Sequence, residues 1–426
     1  MQNFFKKISL IIKDSSLRNR IIFVAAALVV FRLLSVIPIP GIDPIKLQAF
    51  FNSPAGDIFG LFNIFSGGGL SNLSIVMLGV GPYITASIVM QLLTMIFPKL
   101  KQMYQEEGEA GKAKFTQFSR LLTIPLALIQ GGGFLMLLEK SGVVTQLGFI
   151  DMATNIMVIV AGSVLLMWIG ELMTEFGIGN GTSLIIFAGI VSRIPTLVSQ
   201  ALITFSPAQI PMYIAFFVVA LLIVLGVVIV SEAERPIPVT YAKRVRGSKV
   251  YGGVSTYLPL RVNQAGVIPI IFALSILLFP QMIFQYLTTA IPSGIMHNIS
   301  EAILNIIKNG WFYSIFYFIL VFLFTYFYTA VTFDPHSISE NLQKNGAFIP
   351  GVRPGQSTSE YIGKVLTRIT LVGATFLGLI AVLPLAMKAV TGIQSLAIGG
   401  TALLIVVSVV IDLMKKIEAQ VSMREY

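Results

Sequence analysis

Ten runs of apolar residues, each long enough to cross a bilayer and bounded by charge, proline or glycine, divide this chain: 20–38, 73–97, 117–138, 152–173, 183–203, 211–231, 263–281, 311–333, 366–387 and 395–414. A helix crosses the hydrocarbon core with about 20 apolar residues, and inside it every backbone polar group must be satisfied within the protein. Continuous runs of this length therefore read as a bundle of membrane-spanning helices. Of the 426 residues, 55% are hydrophobic and 11% charged, under half of the roughly 25% charge of a soluble domain. An ordinary soluble enzyme is excluded. The absence of cysteine removes disulfides, thiolate metal sites and cysteine nucleophiles, and two histidines leave little for a metal centre. The fifth run is the weakest, because Gly189, Arg193 and Pro195 interrupt it.

The basic residues orient the bundle. Of 29 lysines and arginines, 23 fall before the first run, after even-numbered runs or in the tail. Only Lys46, Lys140, Arg193, Lys308 and Lys388 fall on the other side, and Arg32 lies within the first run. By the positive-inside rule this predicts ten spans with both termini in the cytoplasm. Lys6, Lys7, Lys13 and Arg18, with Arg20 at the start of the first run, make residues 1–19 a basic arm on the membrane surface, with no small-residue cleavage site after the first run.

Two stretches depart from simple spanning. Residues 57–70, DIFGLFNIFSGGGL, are apolar but too short to cross, which predicts a half-helix folded back into the protein. The loops 232–262 and 334–365 are long in a chain whose other connections are short, and loops of that length usually carry function.

An internal repeat links the two halves. Gly79-Val80-Gly81-Pro82-Tyr83-Ile84-Thr85-Ala86 and Gly266-Val267-Ile268-Pro269-Ile270-Ile271-Phe272-Ala273 share G-V-x-P-x-I-x-A. Residues 181–186 and 400–405 share G-T-x-L-x-I. The matches pair run 2 with run 7 and run 5 with run 10. A shift of five is odd, so the halves enter the membrane with opposite orientation, an inverted repeat. The predicted architecture is all-α: spans 1–5 over 20–203, an external hinge loop at 204–210, spans 6–10 over 211–414, and a cytoplasmic tail at 415–426. Ile84, Ile186, Ile271 and Ile405 end their motifs near mid-span. Such isoleucines ordinarily face lipid or core; brought together from four helices, they would form a water-excluding constriction.

Longer stretches carry a family resemblance. IPIPGID at 37–43, LGVGPYITASIVMQLL at 78–93, GIGNGTSLIIFAGIV at 177–191, YAKR at 241–244, STYLPLRVNQAGVIPIIFA at 255–273 and NLQKNGAFIPGVRPG at 341–355 make the chain resemble the SecY family of protein-conducting channels along essentially its whole length. The resemblance implies a channel, not an enzyme and without a cofactor, in the bacterial cytoplasmic membrane. It passes unfolded polypeptide across the membrane and releases membrane segments sideways into lipid.

The same resemblance assigns roles to residues. A pore ring falls on Val80, Ile84, Ile186, Ile190, Ile271 and Ile405, with Val80 replacing the family's usual isoleucine. A plug falls on Ile58, Phe59, Leu61, Phe62, Ile64 and Phe65, with Gly67, Gly68 and Gly69 as its hinge. A lateral gate lies between spans 2 and 7, with Thr85, Ser87, Gln91, Asn263 and, from span 3, Gln130 as polar contacts that hold it shut. Lys243, Arg244, Arg246, Lys249 and Arg353 would dock the SecA motor or the ribosome, a cationic face also suited to ribosomal RNA phosphates. Implied partners are SecE and SecG subunits, secretory preproteins with signal sequences, and membrane lipids; Lys99, Lys101, Lys112 and Lys114 suit anionic headgroups.

The rival class is a secondary transporter of a small solute. Such a protein wants an acidic group near the midplane, whereas Glu171 and Asp412 lie near cytoplasmic ends and Asp151 at an outer end. His297 and His336 fall in loops on opposite sides, the latter in a turn after Asp334-Pro335. No Walker A loop occurs, so a partner must supply energy. Arg32 has no acidic partner in its run; backbone carbonyls or a partner protein are expected to satisfy it.

Overall fold

A computed structural model describes residues 14–40, 46–47, 68–70, 72–140, 142–144, 148–196, 199, 210–242, 244–246, 249–251, 255–291, 293–391 and 394–422. The helices are α1 Ser15–Leu34, α2 Gly81–Ile96, α3 Pro98–Gln105, α4 Gly108–Lys140, α5 Phe149–Phe176, α6 Gly181–Val191, α7 Ile210–Glu232, α8 Ile268–Ala290, α9 Ile295–Lys308, α10 Gly310–Thr332, α11 Pro335–Lys344, α12 Gln356–Thr391 and α13 Gln394–Ser422. Each of the ten apolar runs carries one of them. Among the described residues, four helical stretches, in α4, α5, α10 and α12, are long and apolar enough to cross a membrane alone. The pair α2 and α3, bent by 117° where Phe97 meets Pro98, adds a fifth.

The second run is helical only in part. Residues 72–80 form successive turns before α2 begins. Irregular backbone at membrane depth is tolerated only inside protein, and here Leu73, Ser74, Val76, Met77, Leu78 and Val80 are buried. The Ser163 hydroxyl of α5 donates to the Gly79 carbonyl at 3.0 Å. Gly162 lets α5 approach so closely that a Cβ there would run into the Ile75 carbonyl. The fifth run is also short as a helix: α6 has 11 residues, begun by the Asn180 side chain accepting from the Thr182 and Ser183 amides.

The repeated G-V-x-P motif has one geometry in both places. Gly79 and Gly266 take φ of +58° and +61°. Val80 and Val267 then cap α2 and α8 at φ −88°, ψ 5° and φ −95°, ψ −6°, and each helix opens with a proline in its first two positions. Proline there forfeits only an amide that has no helical partner. The second shared motif differs: Gly181 starts α6, whereas Gly400 lies inside α13.

The all-α expectation requires correction at the two long loops. Among the described residues, five strands occur there: β1 Glu234–Tyr241, β2 Arg244–Arg246, β3 Lys249–Tyr251, β4 Ser255–Arg261 and β5 Ala347–Phe348. One sheet has the order β4-β1-β5, so both loops build a single unit. β1 pairs antiparallel with β4 from Glu234↔Arg261 to Thr240↔Ser255, and with β5 only at Thr240 and Tyr241. Ile237, Val239, Leu260, Ala347, Ile349, Ile362 and Val365 form its own apolar core. Beneath the sheet, Lys415 of α13 reaches Glu232 at the end of α7 at 2.9 Å.

Candidate functional site: a shared apolar constriction and the helices beside it

One contiguous apolar cluster holds all six positions of the expected ring. Val80, Ile186, Ile190, Ile271 and Ile405 are buried in it, and half-buried Ile84 packs against it. They come from α2 and its cap, α6, α8 and α13, two elements from each half of the chain. Ile84 and Ile271 each stand two residues beyond the helix-opening proline, so the repeated start geometry places them equivalently. Phe31, Ile185, Val267 and Leu404, which sequence reasoning did not single out, belong to the same cluster. A cluster of side chains this apolar offers water and ions no polar partner.

The helices of the expected gate meet. α8 of the second half packs against α2 and α4 of the first. Thr85 donates to the carbonyl of Gly81 within its own helix at 3.0 Å, and Ser87 is half-buried in α2. The side-chain oxygens of Gln91, Gln130 and Asn263 are buried and accept no hydrogen bond. A buried acceptor left unsatisfied costs about 1–3 kcal/mol. These three side chains thus keep hydrogen-bonding capacity to spare.

Of the expected plug, Ile58, Phe59, Leu61, Phe62, Ile64, Phe65 and Gly67 lie outside the described residues. Gly68 and Gly69 are buried in a turn, Gly68 at φ +83°. A Cβ on Gly68 would sit 3.6 Å from Arg32 Nη1 and 4.0 Å from Arg193 Cγ, so both arginines border the end of this segment. Arg32 is not mid-helix: it occupies the last turn of α1, where the helix dipole favours a cation. Its Nη1 donates to the Ser35 hydroxyl at 3.3 Å, and that hydroxyl donates to the Arg32 carbonyl at 2.7 Å.

On the sheet unit, Lys243 lies outside the described residues. The β2–β3 ribbon pairs Arg246 with Lys249 and Arg244 with Tyr251, which brings three of the basic positions into adjacent register. Arg353 is exposed in the turn after β5, where its carbonyl accepts the Thr358 hydroxyl at 2.9 Å. His336 sits in the first turn of α11, its amide donating to the capping Asp334 carboxylate at 3.0 Å. His297, expected in a loop, lies in α9 instead.

The fold and the cluster define a helical membrane protein whose two sets of helices meet in a shared apolar cluster. The SecY family model matches residues 74–414. Protein translocase subunit SecY of Corynebacterium glutamicum is 41% identical over 435 residues, covering 97% of each chain. That of Thermotoga maritima is 42% identical over 426 residues, covering 97% of this chain and 95% of its own. Among solved structures, "The structure of a protein conducting channel" superposes with a TM-score of 0.68 at 20% identity, covering 96% of this chain and 93% of that one. Sec61 in the canine ribosome-channel complex follows with a TM-score of 0.63 at 19% identity and the same coverage. This chain belongs to the SecY family.

Proposed function

We propose that this chain is the channel subunit of a bacterial Sec translocon, passing unfolded polypeptide across the cytoplasmic membrane and releasing apolar segments sideways into lipid. Ten helices cross the membrane in two inverted halves, with both termini and the β4-β1-β5 sheet in the cytoplasm. The matched turns at Gly79 and Gly266 support the inversion, since each opens the corresponding helix of its half. Val80, Ile84, Ile186, Ile190, Ile271 and Ile405 form the seal that a passing chain parts, and residues 57–70 plug it from outside.

The unsatisfied oxygens of Gln91, Gln130 and Asn263 support a gate between α8 and the α2–α4 pair. A seam with spare acceptors opens at lower cost than a fully bonded one, and it offers partners to the amides of an entering segment. SecA or the ribosome docks on the basic ribbon and on Arg353, while SecE and SecG complete the heterotrimer. Anionic lipid meets Lys99, Lys101, Lys112 and Lys114.

The gathering of the six ring positions into one cluster from both halves carries this reading. Crosslinking of a stalled secretory precursor to photoprobes at Ile84 and Ile271 tests it. Adducts at both sites are expected; their absence in a complex otherwise competent for export excludes the pore.

A further inference from the structure

Helix α9 was not anticipated as an element. Its 14 residues, IMHNISEAILNIIK, extend about 21 Å at 1.5 Å per residue, short of the ~30 Å needed to cross. At 3.6 residues per turn, Ile295, Ile299 and Ile306 line one stripe, and all three are exposed. His297, Asn298, Glu301 and Asn305 occupy a neighbouring flank, while Ser300 and Leu304 are buried against the protein. The helix thus divides into a protein-facing side, a polar side and an uncovered apolar stripe.

Two observations say what covers the stripe. Asn309 alone separates α9 from α10 and caps the latter, its side chain accepting from the Trp311 and Phe312 amides at 3.1 and 3.5 Å. Trp311 and Phe312 are exposed there, as aromatic residues are at the membrane–water boundary. From them, Ile315, Ile319 and Leu323 continue as an exposed apolar stripe at four-residue spacing down α10, one of the helices able to span. The stripe of α9 therefore adjoins a lipid-facing surface at the level where it meets water. An amphipathic helix in that position lies in the headgroup region.

The same helix is fastened to α8. It packs against α8 and α10, and with its proton on Nδ1, His297 donates to the carbonyl of Ile291, the residue that ends α8, at 2.9 Å. His297 Nε2 faces Glu301 of α9 at 3.7 Å.

We propose that α9 is an interfacial helix seated in the headgroups of the outer leaflet, and that it tethers the outer end of the gate helix α8 to the bilayer surface. The leaflet assignment rests on the orientation given under Proposed function. When α8 moves away from α2, α9 must move through the headgroups with it, so the bilayer surface resists opening.

The chain has no cysteine, so single-cysteine variants report without background. In the complete translocon reconstituted into liposomes, spin labels on Ile299→Cys and Ile306→Cys are expected to be relaxed by oxygen and shielded from a water-soluble nickel chelate, with the reverse at Asn298→Cys and Asn305→Cys. Nickel access at all four overturns the lipid contact. Exclusion of both reagents at 299 and 306 overturns it in favour of a protein partner. An impermeant maleimide should reach Asn305→Cys from outside only; labelling from inside overturns the leaflet while leaving the oxygen and nickel pattern intact, so the two failures are separable. With Ile299→Asp and Ile306→Asp combined, insertion of a marginally apolar segment should speed up several-fold, and an unchanged rate overturns the tether.

Discussion

Arg120 Nε lies 2.8 Å from Glu171 Oε1, joining α4 to α5, and the Tyr83 hydroxyl of α2 donates to the same oxygen at 3.4 Å. One carboxylate oxygen thus collects three helices of the first half, while Oε2 is buried without a partner. The Glu171 side chain is 15% exposed and that of Arg120 45%, so water screens the pair only in part. Removing the cation strands a mostly buried charge, a change that costs about 3–5 kcal/mol in a fully buried pair and less here. Arg120→Ala is therefore expected to destabilise the purified protein by about 1–3 kcal/mol, and Arg120→Ala with Glu171→Gln by less than Arg120→Ala alone. Aggregation half-lives in detergent for the single and double variants measure the coupling. Equal losses in both would mean that the carboxylate left behind by Arg120→Ala carries no penalty.

Two glycines separate backbone demands from space demands. An added Cβ at Gly266 meets nothing within 4 Å, yet φ there is +61°. Gly266→Ala should then destabilise by about 1–2 kcal/mol through conformation alone, and Gly266→Asn by less because asparagine tolerates the left-handed region. At Gly162 the obstacle is the Ile75 carbonyl, which has no flexible end to move aside. Gly162→Ala should be the worst of the three, and thermal aggregation of all three in detergent checks the order.

These particulars show what could be read from the chain beforehand. The helices at the ten apolar runs were legible because lipid imposes a length and an apolar composition together. The equivalence of Gly79 and Gly266 was legible because both open the same G-V-x-P pattern, with a proline three residues later. The sheet was not: β1 contains Pro236 and Pro238, and proline argues against a central strand. It is accommodated because positions 236, 238 and 240 present their amide side in the same direction, toward β5, which reaches only Thr240 and Tyr241. The two prolines therefore lack donors where nothing is there to receive them. Helix α9 did leave a signal, the 3.6-residue period of Ile295, Ile299 and Ile306, but it is short and interrupted by His297, Asn298, Ser300, Glu301 and Asn305. The pairing of strands from two separate loops, Thr240↔Phe348 and Tyr241↔Ala347, left none.

The constriction makes a prediction about ions. Ile405 is 1% exposed among the side chains of the apolar cluster. Asparagine at that depth brings a donor and an acceptor that only water or a neighbour can satisfy. Ile405→Asn is expected to raise the resting ion conductance of reconstituted vesicles and to let precursors with weakened signal sequences through, while Ile405→Leu leaves both near parent levels. Conductance equal to that of the parent in Ile405→Asn would remove Ile405 from the seal.

Arg353 allows the proposed docking role to be tested apart from folding. It projects from the turn between β5 and α12, and the local contact that holds the turn, Thr358 to the residue 353 carbonyl at 2.9 Å, uses backbone rather than the guanidinium. Reversing the charge should therefore leave the sheet unit intact. If the exposed guanidinium meets an acidic surface on the motor, Arg353→Glu replaces an attractive contact by a repulsive one, a change worth about 2–5 kcal/mol at such interfaces. ATP-driven export by membranes carrying Arg353→Glu is expected to fall at least about tenfold, the factor that 1.4 kcal/mol represents. Arg353→Lys, which keeps the charge but loses the planar fork, should fall between that variant and the parent. Normal amounts of assembled complex in all three membranes would confirm that the loss lies in docking. Export at the parent rate in Arg353→Glu would place the motor contact elsewhere on the sheet unit, with the β2–β3 ribbon next to be tested.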